Sequence, residues 1–131
     1  MTKEELRKIR RMIVEVEAKK RQREELYYRV AGSGIPIKTT WVQESTPGDK
    51  MAAVMAEVAD LDASIRHDIR VLVAAQMKAK EEFEKLSRPE LVAIMTDYYL
   101  NGYTWERTAY LNGFSVQHVY RLHGEALKEI C

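Results

Sequence analysis

Apolar residues recur along most of this chain three or four positions apart, the spacing of one face of an α-helix. Across residues 2–31, Leu6, Ile9, Ile13 and Val16, then Tyr27 and Val30, form a stripe suited to packing helix on helix. Lys20 and Arg23 occupy seam positions between Val16 and Tyr27. Either their stems lie along the seam with the charged heads in water, or the heads meet acids on a partner helix. The run "KKRQR" (19–23) reads as a solvated face in preference to a phosphate-binding strip. In residues 32–50 the pattern breaks at Gly32, Gly34, Pro36, Pro47 and Gly48, and no alternating strand of useful length survives. That predicts a loop, taken as 32–48, longer than the roughly 12–15 residues usual in compact domains. Ile35, Ile37, Trp41 and Val42 are its candidates for pinning onto the helices.

From residue 49 to 86 the pattern predicts one long helix. Met51, Val58, Ile65, Leu72, Ala79 and Leu86 recur every seven residues. The second apolar position drifts from three residues on (Val54, Leu61, Ala75) to four (Met55, Ile69, Phe83), as in a nearly straight helix. At 1.5 Å per residue it extends roughly 57 Å, against about 45 Å for the first helix. Part of its stripe is therefore left over, and self-association is the simplest cover. In "LSRPEL" (86–91), Pro89 ends the long helix, Ser87 is a candidate cap for the next, and Glu90 suits its first turn. Leu91, Ile94, Met95, Tyr98 and Tyr99 give a further amphipathic helix stopped by Asn101-Gly102.

The last stretch is more specific. Thr104 caps a short helix, "WERTAYL" (105–111), and Asn112-Gly113 closes it with left-handed geometry. Phe114 buries the turn, Ser115 caps again, and "VQHVYRLHGEALKEI" forms the final helix. Two helices joined by so short a turn cross steeply, which needs small or fitting residues at fixed places. Ala109 permits the approach, while Val119 and Leu122 plug back onto the first helix; this is the spacing of a DNA-binding helix-turn-helix. Thr108 stands where an apolar residue is more usual. The expected fold class is thus all-α: a long, coiled-coil-like helical hairpin (1–86) for oligomerisation, then a three-helix module (87–131).

Charge and composition narrow the chemistry. The formal net charge is +1, but residues 1–30 carry ten Lys/Arg against six Glu, whereas residues 87–131 carry four against five acids. The basic surplus lies at the other end of the sequence from the helix-turn-helix, which argues against strong non-specific DNA binding by that module alone. Cys131 is the single cysteine, so no internal disulfide or cysteine-based zinc site forms. His118 and His123, five apart, do not share a face for chelation, and His67 reads as a surface residue. No metal or cofactor is expected. No phosphate loop, nucleophile motif or carboxylate cluster beyond solvated faces such as "KEEFEK" (80–85) is present, so no enzyme is expected. The first residues mix charge with apolar positions, unlike a signal peptide, and no run approaches the roughly 20 apolar residues of a membrane span. A location in the cytoplasm is expected. Tyr98, Tyr99, Tyr103 and Tyr110 read as core, with Tyr120 exposed.

Residues 86–130, "LSRPELVAIMTDYYLNGYTWERTAYLNGFSVQHVYRLHGEALKEI", resemble region 4 of bacterial sigma factors, down to the Ala126-Leu127 ending. With the "STPGDKMAAVM" junction (45–55) and "VYRLHGEAL" (119–127), the chain resembles the RinA- and ArpU-like regulators of phages of Gram-positive bacteria. The resemblance implies a sequence-specific transcriptional regulator of late or operon promoters, binding double-stranded DNA in the host cytoplasm and touching RNA polymerase. In that geometry the last helix enters the major groove, presenting Val116, Gln117, His118, Tyr120 and Arg121. Gln117 suits adenine, Arg121 guanine and Val116 a thymine methyl, while His118 and Tyr120 suit phosphates. Val116 and Gln117 replace the charged residues common in sigma modules, so the sequence read should differ from a standard promoter element. Thr104, Trp105, Arg107 and the Ser115 cap are candidate phosphate contacts. Two alternatives stand beside this. One is a small-terminase-like packaging subunit, disfavoured because such proteins usually place the DNA-binding unit first. The other is an interaction or inhibitor protein that does not meet DNA.

Overall fold

A computed structural model describes residues 1–29 and 47–131, and the secondary structure of these residues is all helix and connecting turns, without a strand. The expected anchors Val30, Ile35, Ile37, Trp41 and Val42 lie outside the described residues. Helix α1 spans Lys3–Tyr28 and α2 spans Pro47–Phe83. Helix α3, Pro89–Met95, runs into a π-helical turn, Thr96–Leu100. Helices α4 (Trp105–Asn112) and α5 (Val116–Ile130) complete the chain.

Local chemistry fixes most of these boundaries. A capping box opens α1: the Glu5 N–H donates to Thr2 Oγ1 at 3.1 Å, and the Thr2 N–H donates to Glu5 Oε2 at 3.2 Å. Pro47 stands at the first position of α2, where its missing N–H costs nothing. That helix stops three residues short of Leu86, because the Lys85 and Leu86 N–H groups bond to the carbonyls of Glu82 and Phe83 and tighten the final turn. Ser87 does not cap α3, contrary to expectation. Its N–H and hydroxyl both donate to the Glu129 carboxylate, at 2.9 and 2.7 Å, and the residue before α3 is Arg88 in an extended conformation. Two charge-assisted bonds to a carboxylate outweigh one neutral cap. They also hold the Glu129 carboxyl below its ordinary pKa.

By compactness the chain divides into Val14–Arg70 and a second unit built from Met1–Ile13 with Val71–Cys131. The sequence boundary at residue 86 is not where this division falls. In Val14–Arg70, α1 and α2 run antiparallel over buried Val16, Val58 and Ile65. Lys19 reaches Ser64 Oγ at 2.7 Å and Asp68 at 2.5 Å, and Arg23 reaches Asp62 at 2.6 Å. Of the two outcomes open for the seam cations, Arg23 therefore meets an acid. Lys20 stays outside, paired within its own helix to Glu17.

In the other unit Leu6 and Ile9 of α1, and Leu72, Ala79 and Phe83 of α2, are buried together with Leu91, Ile94, Met95, Val119, Leu122 and Ala126. The seven-residue repeat of α2 is thus buried at every position except Met51. The π turn is what locks α3 into this unit. The helix ends at this turn, so its last carbonyls have no helical partners. Arg10 donates to the Tyr98 carbonyl at 2.9 Å and to the Tyr103 carbonyl at 3.3 Å. Gln76 Nε2 donates to the carbonyls of Tyr99 and Leu100, at 3.0 and 3.2 Å. Among the described residues no helix is long and apolar enough to cross a membrane.

Candidate nucleic-acid interface

The last two helices are set by their caps. Thr104 Oγ1 accepts the Arg107 N–H at 3.1 Å, and Ser115 Oγ accepts the His118 N–H at 3.1 Å. Between them Gly113 adopts φ 70°, the left-handed turn expected there. Phe114 N–H bonds back to the Ala109 carbonyl at 2.9 Å, closing the joint. Ala109, Val119 and Leu122, the residues that the spacing selected for the α4–α5 joint, are buried, and so is Ala126. Asn112 Nδ2 adds bonds to Asp97 and to the Thr108 carbonyl, both at 2.8 Å. Thr108 is fully buried, and its Oγ1 has no hydrogen-bond partner among the described residues.

With Val119, Leu122 and Ala126 inward, the 100° step of the helix turns Gln117 and Arg121 directly outward, and both are exposed. Tyr120 is half exposed, at 50%. Val116 and His118 are half-buried at the flanks, with the His118 ring edge-on to Phe114 at 4.8 Å. The cap hydroxyls of Thr104 and Ser115 use their oxygens as internal acceptors, and each keeps one rotatable O–H donor. Arg107 is exposed, its guanidinium 5.0 Å above the Tyr103 ring. Trp105 is less free than a phosphate contact requires. Its ring stacks on Tyr98 at 3.5 Å and meets Tyr120 and His123 edge-on at 5.6 and 4.7 Å. It holds α4, α5 and the π turn together. Tyr110, expected in the core, is 83% exposed beside half-exposed Leu111, because α4 buries only its Thr108–Ala109 side.

An aromatic cluster supports α5 from behind, and sequence reasoning missed its histidine. His123 Nε2 lies 2.8 Å from the Tyr99 hydroxyl, and the two rings are stacked 5.8 Å apart. Burial lowers the His123 pKa to about 4 and pushes the Tyr99 hydroxyl up. The ring is therefore neutral at pH 7, and it shares one hydrogen bond with the Tyr99 hydroxyl through Nε2. Arg10 covers the outer face of Tyr98 at 4.0 Å.

Beside this cluster opens a cleft of about 400 Å³. Lys3, Arg7, Arg10 and Arg11 of α1 line one side. Trp105, with His123 and Leu127 of α5, lines the other. The basic residues of α1 were legible as a charge surplus, but nothing in the linear pattern placed them beside the helix-turn-helix. Among the described residues, no group of three or more His, Cys, Asp or Glu side chains is arranged to hold a metal ion. No family model, curated protein or solved structure matches the chain.

Proposed function

We propose that this chain is a sequence-specific, double-stranded-DNA-binding transcriptional regulator, phage-encoded and working in the host cytoplasm at late or operon promoters. The observation that carries the reading is the disposition of α5: apolar knobs clamp its inner side while Gln117 and Arg121 stand free on the outer one. A helix held this way fits the major groove. There Gln117 pairs with adenine and Arg121 bridges guanine O6 and N7, each worth about 1–3 kcal/mol of discrimination. Val116 meets a thymine methyl. Tyr120, His118 and Arg107, with the hydroxyls of Thr104 and Ser115, serve phosphates and fix the register. Trp105 acts by positioning α4 and Tyr120. The long helices join copies of the chain, setting half-sites one helical turn, about 34 Å, or a multiple apart.

Selection of genomic fragments by the full-length protein tests this. Gln117→Ala and Arg121→Ala should each relax the preference at separate base positions by the factor of about 5–150 that 1–3 kcal/mol represents. Unchanged preference in both variants removes α5 as the reading helix. Light scattering on the same samples should give a dimer or tetramer; a monomer removes the self-association. One observation favours an added protein contact: Tyr110 and Leu111 present an exposed apolar surface on α4, which suits docking to RNA polymerase. DNA binding that is absent, or insensitive to salt, turns the reading toward a protein-only partner.

A further inference from the structure

We propose that Lys3, Arg7 and Arg11 of α1 grip the phosphate backbone of the duplex that α5 reads, so that the DNA-binding surface is composite. The inference rests on the DNA-binding reading above and extends it to a helix that no helix-turn-helix includes. Three observations carry it. These cations recur every four residues, which puts them on one face of α1, roughly 6 Å apart along its axis. They line a cleft together with Trp105 of α4 and with His123 and Leu127 on the flank of the reading helix, and no carboxylate among the described residues lines it. Finally, their own bonds are weak. Glu4 takes both Arg7 and Arg11, at 3.5 and 2.9 Å, with all three side chains more than half exposed. Such pairs contribute about 0–1 kcal/mol and give way readily to a phosphate.

Arg10 is excluded from the grip. Its guanidinium is committed to two backbone carbonyls and to the Tyr98 face, so it anchors α1 instead. Charge supports the same division. Residues 87–131 hold four cations against five acids, and residues 1–13 add five against two. The excess of positive charge that a polyanion needs comes from α1.

The test is duplex affinity of the full-length protein, measured by fluorescence anisotropy across a salt series. Lys3→Gln, Arg7→Gln and Arg11→Gln, singly and together, are compared with wild type and Gln117→Ala. Each α1 variant should weaken selected and scrambled duplexes by the same factor. Each should also lower the slope of log K against log salt by about 0.9 per lost contact. Arg7→Lys should keep the slope, and unchanged urea midpoints should show that the variants fold. If the triple variant keeps the wild-type slope while wild type still selects its site, the α1 inference is overturned and the α5 reading stands. A change in which sequence is selected by the α1 variants also overturns it. If wild type binds no duplex at all, the DNA-binding reading falls and this inference with it.

Discussion

Acidification from pH 7.5 to 5 should destabilise this protein through His123. The ring is half-buried against Tyr99 and Trp105, and burial lowers its pKa from 6.5 to about 4. Tyr99, whose own pKa is raised by burial, keeps its proton, and its hydroxyl shares a hydrogen bond with Nε2 at 2.8 Å. Protonating the ring would place a charge in this desolvated site. Between about pH 6.5 and 4 the unfolded chain therefore binds more proton than the folded one, and stability rises with pH across that window. It is complete above pH 6.5 and falls as the pH drops toward 4. A fully dry site would place about 3 kcal/mol on the whole window. Solvent at the half-buried ring reduces this to about 1–2 kcal/mol, of which about 1 kcal/mol is lost by pH 5.

The window also isolates the group. Glu4, Glu5 and Glu129 have pKa values below 4.5, through Arg11, Thr2 and Ser87 respectively, so what they contribute is lost only as the pH falls below that. Urea unfolding of wild type and His123→Gln at pH 7.5, 6 and 5 reads the effect. Wild type should lose about 1 kcal/mol that the variant does not lose. Equal losses in the two proteins, or a His123 ring titrating at or above 6.5 by NMR, would refute the buried neutral ring.

Two further predictions concern backbone and core. Gly113 and Gly102 share left-handed φ values of 70° and 74°, but a Cβ at Gly113 meets nothing within 4 Å, whereas one at Gly102 lies 3.1 Å from Ile13 Cγ2. Gly113→Ala should cost about 1–2 kcal/mol from conformation alone. Gly102→Ala should cost more, with part of the excess recovered by Ile13→Ala; equal costs in thermal unfolding would contradict the close approach of α1. Thr108→Val exchanges a buried hydroxyl with no partner among the described residues for a methyl, and should stabilise by about 1–3 kcal/mol. A lower urea midpoint would mean that the hydroxyl is satisfied.

Local signals carried far in this sequence. The caps at Thr104 and Ser115, the Gly113 turn and the inward positions of α5 followed from spacing, because each depends on neighbours within four or five residues. The seven-residue repeat likewise predicted the buried side of α2. Failures came where a distant partner competes. Ser87 suits a cap by itself, but Glu129, forty-two residues on, takes both its donors. Tyr110 matches a core residue by type, yet an eight-residue helix with one buried side leaves it out. His123 carries no linear mark of its environment, since its burial and its bond to Tyr99 arise from the packing of α5 on the π turn. That turn is itself invisible to pattern, because its end carbonyls are bonded by Arg10 and Gln76 from two other helices.

Charge shows the same limit with more consequence. Summed by sequence, the helix-turn-helix is slightly acidic and the basic surplus sits about a hundred residues away, which weakens a DNA-binding reading. Summed by compact unit, residues 1–13 belong with residues 71–131, so the cations at 3, 7 and 11 count toward the same unit as Gln117 and Arg121. A polyanion responds to the field in space and not to order along the chain. Arg10 is the residue that converts one description into the other. By bonding the carbonyls of Tyr98 and Tyr103 it fixes α1 against the π turn, and the stripe on the neighbouring face follows. The specificity proposed for α5 and the affinity proposed for α1 therefore depend on a shared joint, and loosening that joint should weaken binding to every sequence alike before it alters which one is read.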